Sequence, residues 1–270
     1  MSKKKITIII PTYNRILKNN KSIINFYFFT KKDLNIFIIE DGSSNEIINN
    51  NIQFLKKFPK VKYFFYKKNK GQSYACNLGI KNAKTDYVWF FDDDDLVTSK
   101  TIKDVLNEIK LNYKDGYLLP MQQIYKNKIL KEINPSIRRH DFNDLRDNGQ
   151  LVSTSCSLFK LYLIRKIGGW DNNLFGGTDT DLFLRFSKVG KFSFINTTPI
   201  KINLSFSNRL TTMIMRQQRA KIFFLIKHWN SLTFKRKCYY LITLIFFFPA
   251  LYKMKYKLNL FLSNLKKVIF

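Results

Sequence analysis

A chain of 270 residues, 45% of them hydrophobic, carries enough apolar matter for one substantial domain and an appendage, which excludes a disordered chain. Its 47 Lys and Arg outweigh 19 Asp and Glu, and the net charge of +28 selects anionic partners: nucleic acid, an acidic membrane surface or phosphorylated small molecules. Three distant cysteines, Cys76, Cys156 and Cys238, without C-x-x-C spacing, argue against a disulfide framework or a zinc site and fit a reducing cytoplasm. His140 and His228 stand in no metal-ligand pattern. Lys, Asn, Ile and Phe are abundant throughout, so background composition is the competing reading of the basic excess, and Lys is a poorer phosphate fork than Arg.

In chain order, Lys5–Ile10 is a continuous apolar run and reads as a first buried strand. It is too short for a signal peptide, and Pro11 ends it without a small-residue cleavage site. The loop Pro11–Arg15 follows, then helical spacing over Ile16–Thr30. Leu34–Ile39 is a second strand closed by Glu40-Asp41-Gly42-Ser43, and Val61–Tyr66 a third. Asn69–Gly71 is a turn into a helix over Gln72–Ala83, whose small residues mark a close-packing side. Tyr87–Phe91 is a fourth strand, delivering Asp92–Asp95. Near-continuous apolar strands separated by helices signal a doubly wound, mostly parallel α/β sheet covered on both faces.

Beyond residue 100, a helix is expected over Thr101–Asn112 and strands over Gly116–Met121, Lys128–Ile133 and Ser153–Phe159. A short helix over Lys160–Ile167 leads to the loop Gly168–Asp171 and a helix over Asp179–Lys188. Phe192–Asn196 and Ile200–Ser205 are further strand candidates. From Met213 onward acidic residues vanish, and aromatics and lysines alternate in clusters.

Ligands of such sheets bind beyond the carboxyl ends of the strands. Three polar marks fall there: Pro11-Thr-Tyr-Asn-Arg15, Glu40–Ser44 and Asp92–Asp95. Adjacent carboxylates repel, and a hard divalent cation supplies the compensating charge, since Mg²⁺ or Mn²⁺ takes one or two carboxylates plus substrate phosphates. The competing reading is a solvated acidic turn capping the next helix. Asp41 is either an ordinary Asp-Gly turn residue or an acceptor for a nucleobase. Asp179 and Asp181, after the glycine pairs Gly168-Gly169 and Gly176-Gly177, are helix caps or, if one reaches a substrate hydroxyl, a general base.

Ile6–Arg15, Ile39-Glu-Asp-Gly-Ser-Ser44, Asn69–Ile80 and Phe90-Phe-Asp-Asp-Asp-Asp95, in this order, resemble the family 2 glycosyltransferases of GT-A fold. Gly168–Arg185 looks like their later acceptor-side motif, so the resemblance covers roughly residues 5–210. It implies a metal-dependent, inverting transfer of a sugar from a nucleotide-sugar donor, by family habit a UDP-sugar, to a saccharide or lipid-linked acceptor in surface polysaccharide synthesis. Pro11 and Thr12 would line the nucleotide pocket and Asp41 would contact the base. Asp92 and Asp94 match the Asp-x-Asp pair for Mn²⁺ or Mg²⁺, with Asp93 near the ribose or sugar, and the four-residue run leaves the register open by one. Asp179 matches the catalytic base. Three positions depart from the family pattern: Thr178 stands for Glu, Cys76 for Arg, and no His follows the last core strand over Ile202–Arg209.

The chain divides, on this reading, into a GT-A domain over 1–212 and a helical extension over 213–270. That extension suits a membrane interface, so the expectation is a cytoplasmic enzyme held peripherally on the inner face of the membrane through anionic lipid. The alternative for the tail is packing on the domain. The alternative function is a basic nucleic-acid-binding or membrane-surface protein with an inactive transferase-like domain. No helix-turn-helix, zinc or RNA-recognition signature supports nucleic acid as a partner.

Overall fold

The computed structural model describes residues 5–18, 20–30, 33–174, 176–204 and 214–245. Strand β1 (Ile6–Thr12) is the axis of the fold. It pairs in parallel with β2 (Leu34–Asp41) on one side and β4 (Tyr87–Phe90) on the other, and β3 (Val61–Tyr66) extends the sheet beyond β2. Ile6, Ile8, Ile9 and Ile10 are all essentially inaccessible, which explains why this strand reads as unbroken β-branched residues rather than as alternation. The sheet reverses at β8 (Ser157–Lys160), antiparallel to both β4 and β5 (Gly116–Leu118), and closes with β9 (Phe192–Phe194) in the order β3-β2-β1-β4-β8-β5-β9. A second sheet contains β6 (Met121–Tyr125) between β7 (Lys128–Ile133) and β10 (Ile200–Asn203).

Helices cover both faces. They are α1 (Lys21–Phe28), α2 (Asn45–Leu55), α3 (Gln72–Asn82), α4 (Ser99–Leu111), α5 (Phe142–Asn148), α6 (Leu161–Lys166) and α7 (Thr178–Phe186). At the centre, Phe26 of α1 meets Trp89 and Phe91 edge-on at 5.4 and 5.0 Å, the geometry that ring quadrupoles favour. The Trp89 indole satisfies its N–H on the Ser155 carbonyl at 2.7 Å.

Three local differences from the sequence reading have physical causes. Helix α1 starts at Lys21 rather than Ile16, because Asn20 caps it by accepting from the Ile23 N–H, and residues 13–18 stay irregular at the sheet edge. The expected strand over Gly116–Met121 breaks at Leu119-Pro120 into β5 and β6, which enter different sheets. The polar stretch Asn45–Leu55 forms a helix capped by Ser44, with only Ile48, Asn51 and Leu55 buried, too sparse an apolar stripe to announce itself.

The C-terminal segment continues as α8 (Ile214–His228) and α9 (Phe234–Ile245). Phe224, Leu225, Leu232 and Tyr240 join the same apolar core as the sheet. Among the described residues no helix is long and apolar enough to cross a membrane. Residues 246–270, on which the rest of the interface expectation fell, lie outside the described residues.

Gly79 lets α3 lie directly on β1. A Cβ there would stand 2.6–2.9 Å from three side-chain carbons of fully buried Ile9. Ala gains about 1 kcal/mol in helix propensity, but overpacking a closed core costs about 1–3 kcal/mol. Gly79→Ala is therefore expected to destabilise the fold by about 1 kcal/mol net, read as a lower denaturation midpoint in urea at unchanged slope.

Candidate functional site

The carboxyl ends of β1, β2 and β4 open into one cleft of about 910 Å³. Pro11, Thr12, Asp41, Asp92, Asp93, Asp94 and Asp179, all singled out from the sequence, line it together. The parallel register explains the convergence. Thr12 stands beside Glu40 across β1 and β2, and Ile9 beside Phe90 across β1 and β4, so the loops that follow these strands emerge at the same height.

The aspartate run is held from beneath by α1. Asn20 donates to the Asp93 carbonyl at 2.7 Å, Ser22 to Asp95 at 2.8 Å and Asn25 to Val97 at 2.7 Å. The four carboxylates then diverge. Asp92 accepts from the Gln72 amide at 3.1 Å, while its own N–H donates to the Ser155 hydroxyl at 3.0 Å. Asp93 turns toward β1, accepting from the Thr12 hydroxyl at 2.6 Å, and burial pushes its pKa up to about 6 although Arg15 and Thr12 pull the other way. Arg15 lies between Asp93 and Asp94 at 3.3 and 3.1 Å. Asp95 faces inward, accepting from the Asn203 N–H at 3.2 Å, and burial drives its pKa well above the usual carboxylate range.

A cluster of three or more His, Cys, Asp or Glu suited to a metal is absent among the described residues. Asp92 and Asp94 do face the cleft. That donor set fits a Mg²⁺ or Mn²⁺ that takes one or two protein carboxylates and completes its shell from a bound diphosphate and water.

Asp41 is saturated by the protein. Tyr66 donates to it at 2.8 Å, Asn69 at 3.0 Å, and the Lys70 and Gly71 N–H groups at 2.7 and 2.9 Å. Four donors match the lone-pair capacity of a carboxylate, so Asp41 folds the turn that starts α3, and a base contact would require one donor to give way. Its neighbour Glu40 is fully buried and accepts from Ser43, from Asn51 at 3.0 Å and from Tyr63 at 2.8 Å. Asn51 in turn donates to the Arg15 carbonyl at 2.9 Å and accepts from the Leu17 N–H at 2.8 Å, which fixes the loop presenting Arg15.

The opposite wall belongs to α7. Asp179 sits in its first turn, accepting from the Thr180 N–H at 2.8 Å and from the Gln150 amide at 2.6 Å, and desolvation raises its pKa. Asp181 points elsewhere, as two residues at i, i+2 on a helix do. Fully buried, it pairs with Arg185 at 2.6 Å, with Lys227 at 2.7 Å and with His228 at 2.8 Å. Although burial raises its pKa, those three donors outweigh it and leave Asp181 well below the usual range. Two carboxylates of one helix turn are thus driven in opposite directions, one toward proton affinity and one toward a fixed charge.

Helix α3 is tied to the segment that leads to α7 by Asn77, which donates to the Trp170 carbonyl and accepts from its N–H, both at 2.8 Å. Gly169, at φ +70°, is the residue that lets the Asn77 amide approach, and a side chain there would collide with it.

Sequence reasoning missed Arg15, Gln72, Ser155 and Gln150 as site residues, as well as Arg236, Tyr239 and Tyr240 of α9, which also line the cleft. Arg15 carried a signal, being an arginine directly behind the Pro11-Thr12 loop in a chain whose cations are mostly lysine. The α9 residues carried none, because only tertiary packing brings them across.

The Glycosyl transferase family 2 model matches residues 7–168. An uncharacterized glycosyltransferase of Rickettsia conorii is 41% identical over 111 residues, covering 41% of this chain and 17% of its own length. The poly(ribitol-phosphate) beta-N-acetylglucosaminyltransferase TarP of Staphylococcus aureus is 34% identical over 116 residues, covering 42% of this chain and 35% of its own. The matched stretch thus spans well under half of either relative. Among solved structures, S. aureus TarS 1–349 in complex with UDP-GlcNAc superposes with a TM-score of 0.63 at 13% identity, over 82% of this chain and 66% of that one. A Pyrobaculum calidifontis mannosyltransferase with GDP-Man and Mn²⁺ gives 0.59 at 15% identity, over 90% and 70%.

These likenesses establish the architecture as the GT-A α/β fold expected from the sequence. The chain belongs to glycosyltransferase family 2.

Proposed function

We propose that this chain is a metal-dependent glycosyltransferase that moves a sugar from a nucleotide-sugar to a saccharide or lipid-linked hydroxyl with inversion. The observation that carries the reading is the single cleft with Asp92 and Asp94 on one wall and a proton-hungry Asp179 on the other. A UDP-sugar is the donor we favour, supported by the UDP-GlcNAc complex of the TarS neighbour.

Asp92 and Asp94 would hold a Mn²⁺ or Mg²⁺, which when bound supplies Lewis-acid stabilisation of the departing diphosphate. The chain's own groups do the rest. Pro11 and Thr12 wall the nucleotide, and Asp41 shapes its pocket through the turn at 69–71. Asp93, locked to Thr12 and Arg15, stands beside the donor sugar or ribose. Asp179 takes the acceptor proton as that oxygen bonds to the anomeric carbon, and the anomeric C–O bond to phosphate breaks on the opposite face, its electron pair leaving with the nucleoside diphosphate. Thr178 supplies no second carboxylate, and the partner of Asp179 is the Gln150 amide, which orients it without adding charge.

The second part of the reading concerns location. Ile222, Ile226 and Trp229 recur at i, i+4, i+7 and are exposed at 43%, 70% and 43%. No Asp or Glu follows Asp181 in the sequence, and Lys237 lies 4.6 Å over the Trp229 ring. An apolar stripe on a segment that carries basic but no acidic residues suits an anionic bilayer, although Lys227 beside it is paired with Asp171 and Asp181.

Three measurements test this. In calorimetry with Mn²⁺, Asp94→Ala is expected to weaken UDP binding at least tenfold, and unchanged affinity would exclude the metal assignment. The transfer rate should rise with pH, because Asp179 acts deprotonated, with its midpoint above the ordinary carboxylate value of about 3.9. Gln150→Ala removes a donor to the charged form and should move that midpoint further up; a midpoint that stays put removes Asp179 as the base. Co-sedimentation with phosphatidylglycerol vesicles should fall on adding salt and in the Ile226→Glu/Trp229→Glu variant, and failure of the parent chain to sediment ends the membrane claim.

A further inference from the structure

The acceptor end of the cleft carries a cation that the transferase reading leaves without a task. Arg236, on the first turn of α9, lines the cleft together with Tyr239 and Tyr240. Its guanidinium lies over both rings, 5.0 Å from the Tyr239 centroid and 5.1 Å from that of Tyr240. On its other side it abuts bare backbone, since a Cβ on Gly149 would stand 3.3 Å from an Arg236 terminal nitrogen, and Gly149 sits at φ +72°. The side chain is therefore held in place by packing on two sides.

It has no carboxylate of its own. No ion pair of Arg236 occurs among the described residues, and the sequence outside them contains no Asp or Glu. The nearby Asp147 is engaged by Arg146 at 2.8 Å, a hydrogen bond that is the main cause of its lowered pKa, with the Arg236 charge a minor one. Arg236 hydrogen-bonds Tyr240 but has no carboxylate partner among the described residues, and a planar fork fixed by aromatic faces in a cleft keeps further N–H donors with which to receive an oxyanion bidentately.

Its position relates to the chemistry. Gly149, against which Arg236 rests, is followed by Gln150, whose amide holds Asp179 at 2.6 Å. The cation and the proposed base are thus linked through two consecutive residues. Tyr239, 52% exposed, offers a ring face of the kind sugars stack on.

We propose that the α9 end of the cleft is a subsite for a negatively charged group on the acceptor, with Arg236 as its ligand, so that the chain selects saccharides bearing a phosphate or a carboxylate beside the accepting hydroxyl. This rests on the transferase reading for the word acceptor, but the binding it asserts is measurable without turnover.

Isothermal titration of the full chain compares three trisaccharides that differ in one residue: glucose, glucuronic acid, or glucose carrying a glycerol phosphate. A charged partner for a hydrogen-bonding guanidinium corresponds to roughly a 10- to 100-fold gain. At least one charged trisaccharide should bind tighter than the neutral one by that factor, and which arm wins distinguishes a phosphodiester from a uronate. Arg236→Met, which keeps the aliphatic bulk on the rings, should collapse the preference, and Arg236→Lys should restore part of it. No preference in the parent chain, or one that survives Arg236→Met, overturns the subsite. UDP affinity in the same samples reports on the transferase reading alone.

Discussion

Repulsion among four consecutive aspartates at the end of β4 is the constraint around which the rest of this molecule is arranged. Left in one plane they would oppose folding, and the fold separates them. Asp93 turns to Thr12 and Arg15, Asp95 turns inward to the Asn203 N–H, and Asp92 and Asp94 remain at the cleft. The cap Asn20 and two polar side chains of α1 clasp the carbonyls of Asp93, Asp95 and Val97, so the backbone is held against relaxing the crowding. Arg15 supplies one positive charge from within the chain, and Glu40 and Asn51 hold the loop that carries it. This wall is thus an electrostatic assembly in which buried hydrogen bonds and Arg15 hold the diverging carboxylates at one strand end, an arrangement more consistent with ligand binding than with stability.

The α7 wall uses the opposite device. One turn of α7 offers two carboxylates to two different media. Asp181 is neutralised by Arg185, Lys227 and His228, and through Lys227 and His228 it anchors α8 to the domain. Asp179 meets only neutral donors and a desolvating surround, so its proton affinity rises. Residues two apart in sequence therefore differ as a fixed ion-pair anchor and a carboxyl of raised proton affinity, a distinction that charge counting along the chain cannot draw.

The N-terminal half was legible because its strands are short, near-continuous runs of β-branched and aromatic residues, and three of them end in an abrupt polar mark. Parallel topology then brings those marks to one edge, so the meeting of Thr12, Asp41 and Asp92–Asp94 followed from the sequence. Where the signal depended on distant packing it failed. Helix α2 buries too few apolar residues to read as amphipathic, and the split between β5 and β6 depends on which sheet each strand joins. Gln150 and Arg236 belong to segments whose own composition is ordinary, and only the docking of α5 on α7 and of α9 on α5 and α8 brings them to the cleft.

The family signature ends at residue 168, before Asp179, before Asp181 and long before α9. Asp179 and the α9 residues at the far end of the cleft thus lie outside the stretch by which kinship is recognised, and only Gln150 and its neighbours on that side lie within it. On the proposed function, a lineage could keep the residues of the matched stretch and exchange the helix that follows it. Acceptor choice would then drift by replacing one late helix, and two chains with indistinguishable signatures could decorate chemically unrelated polymers.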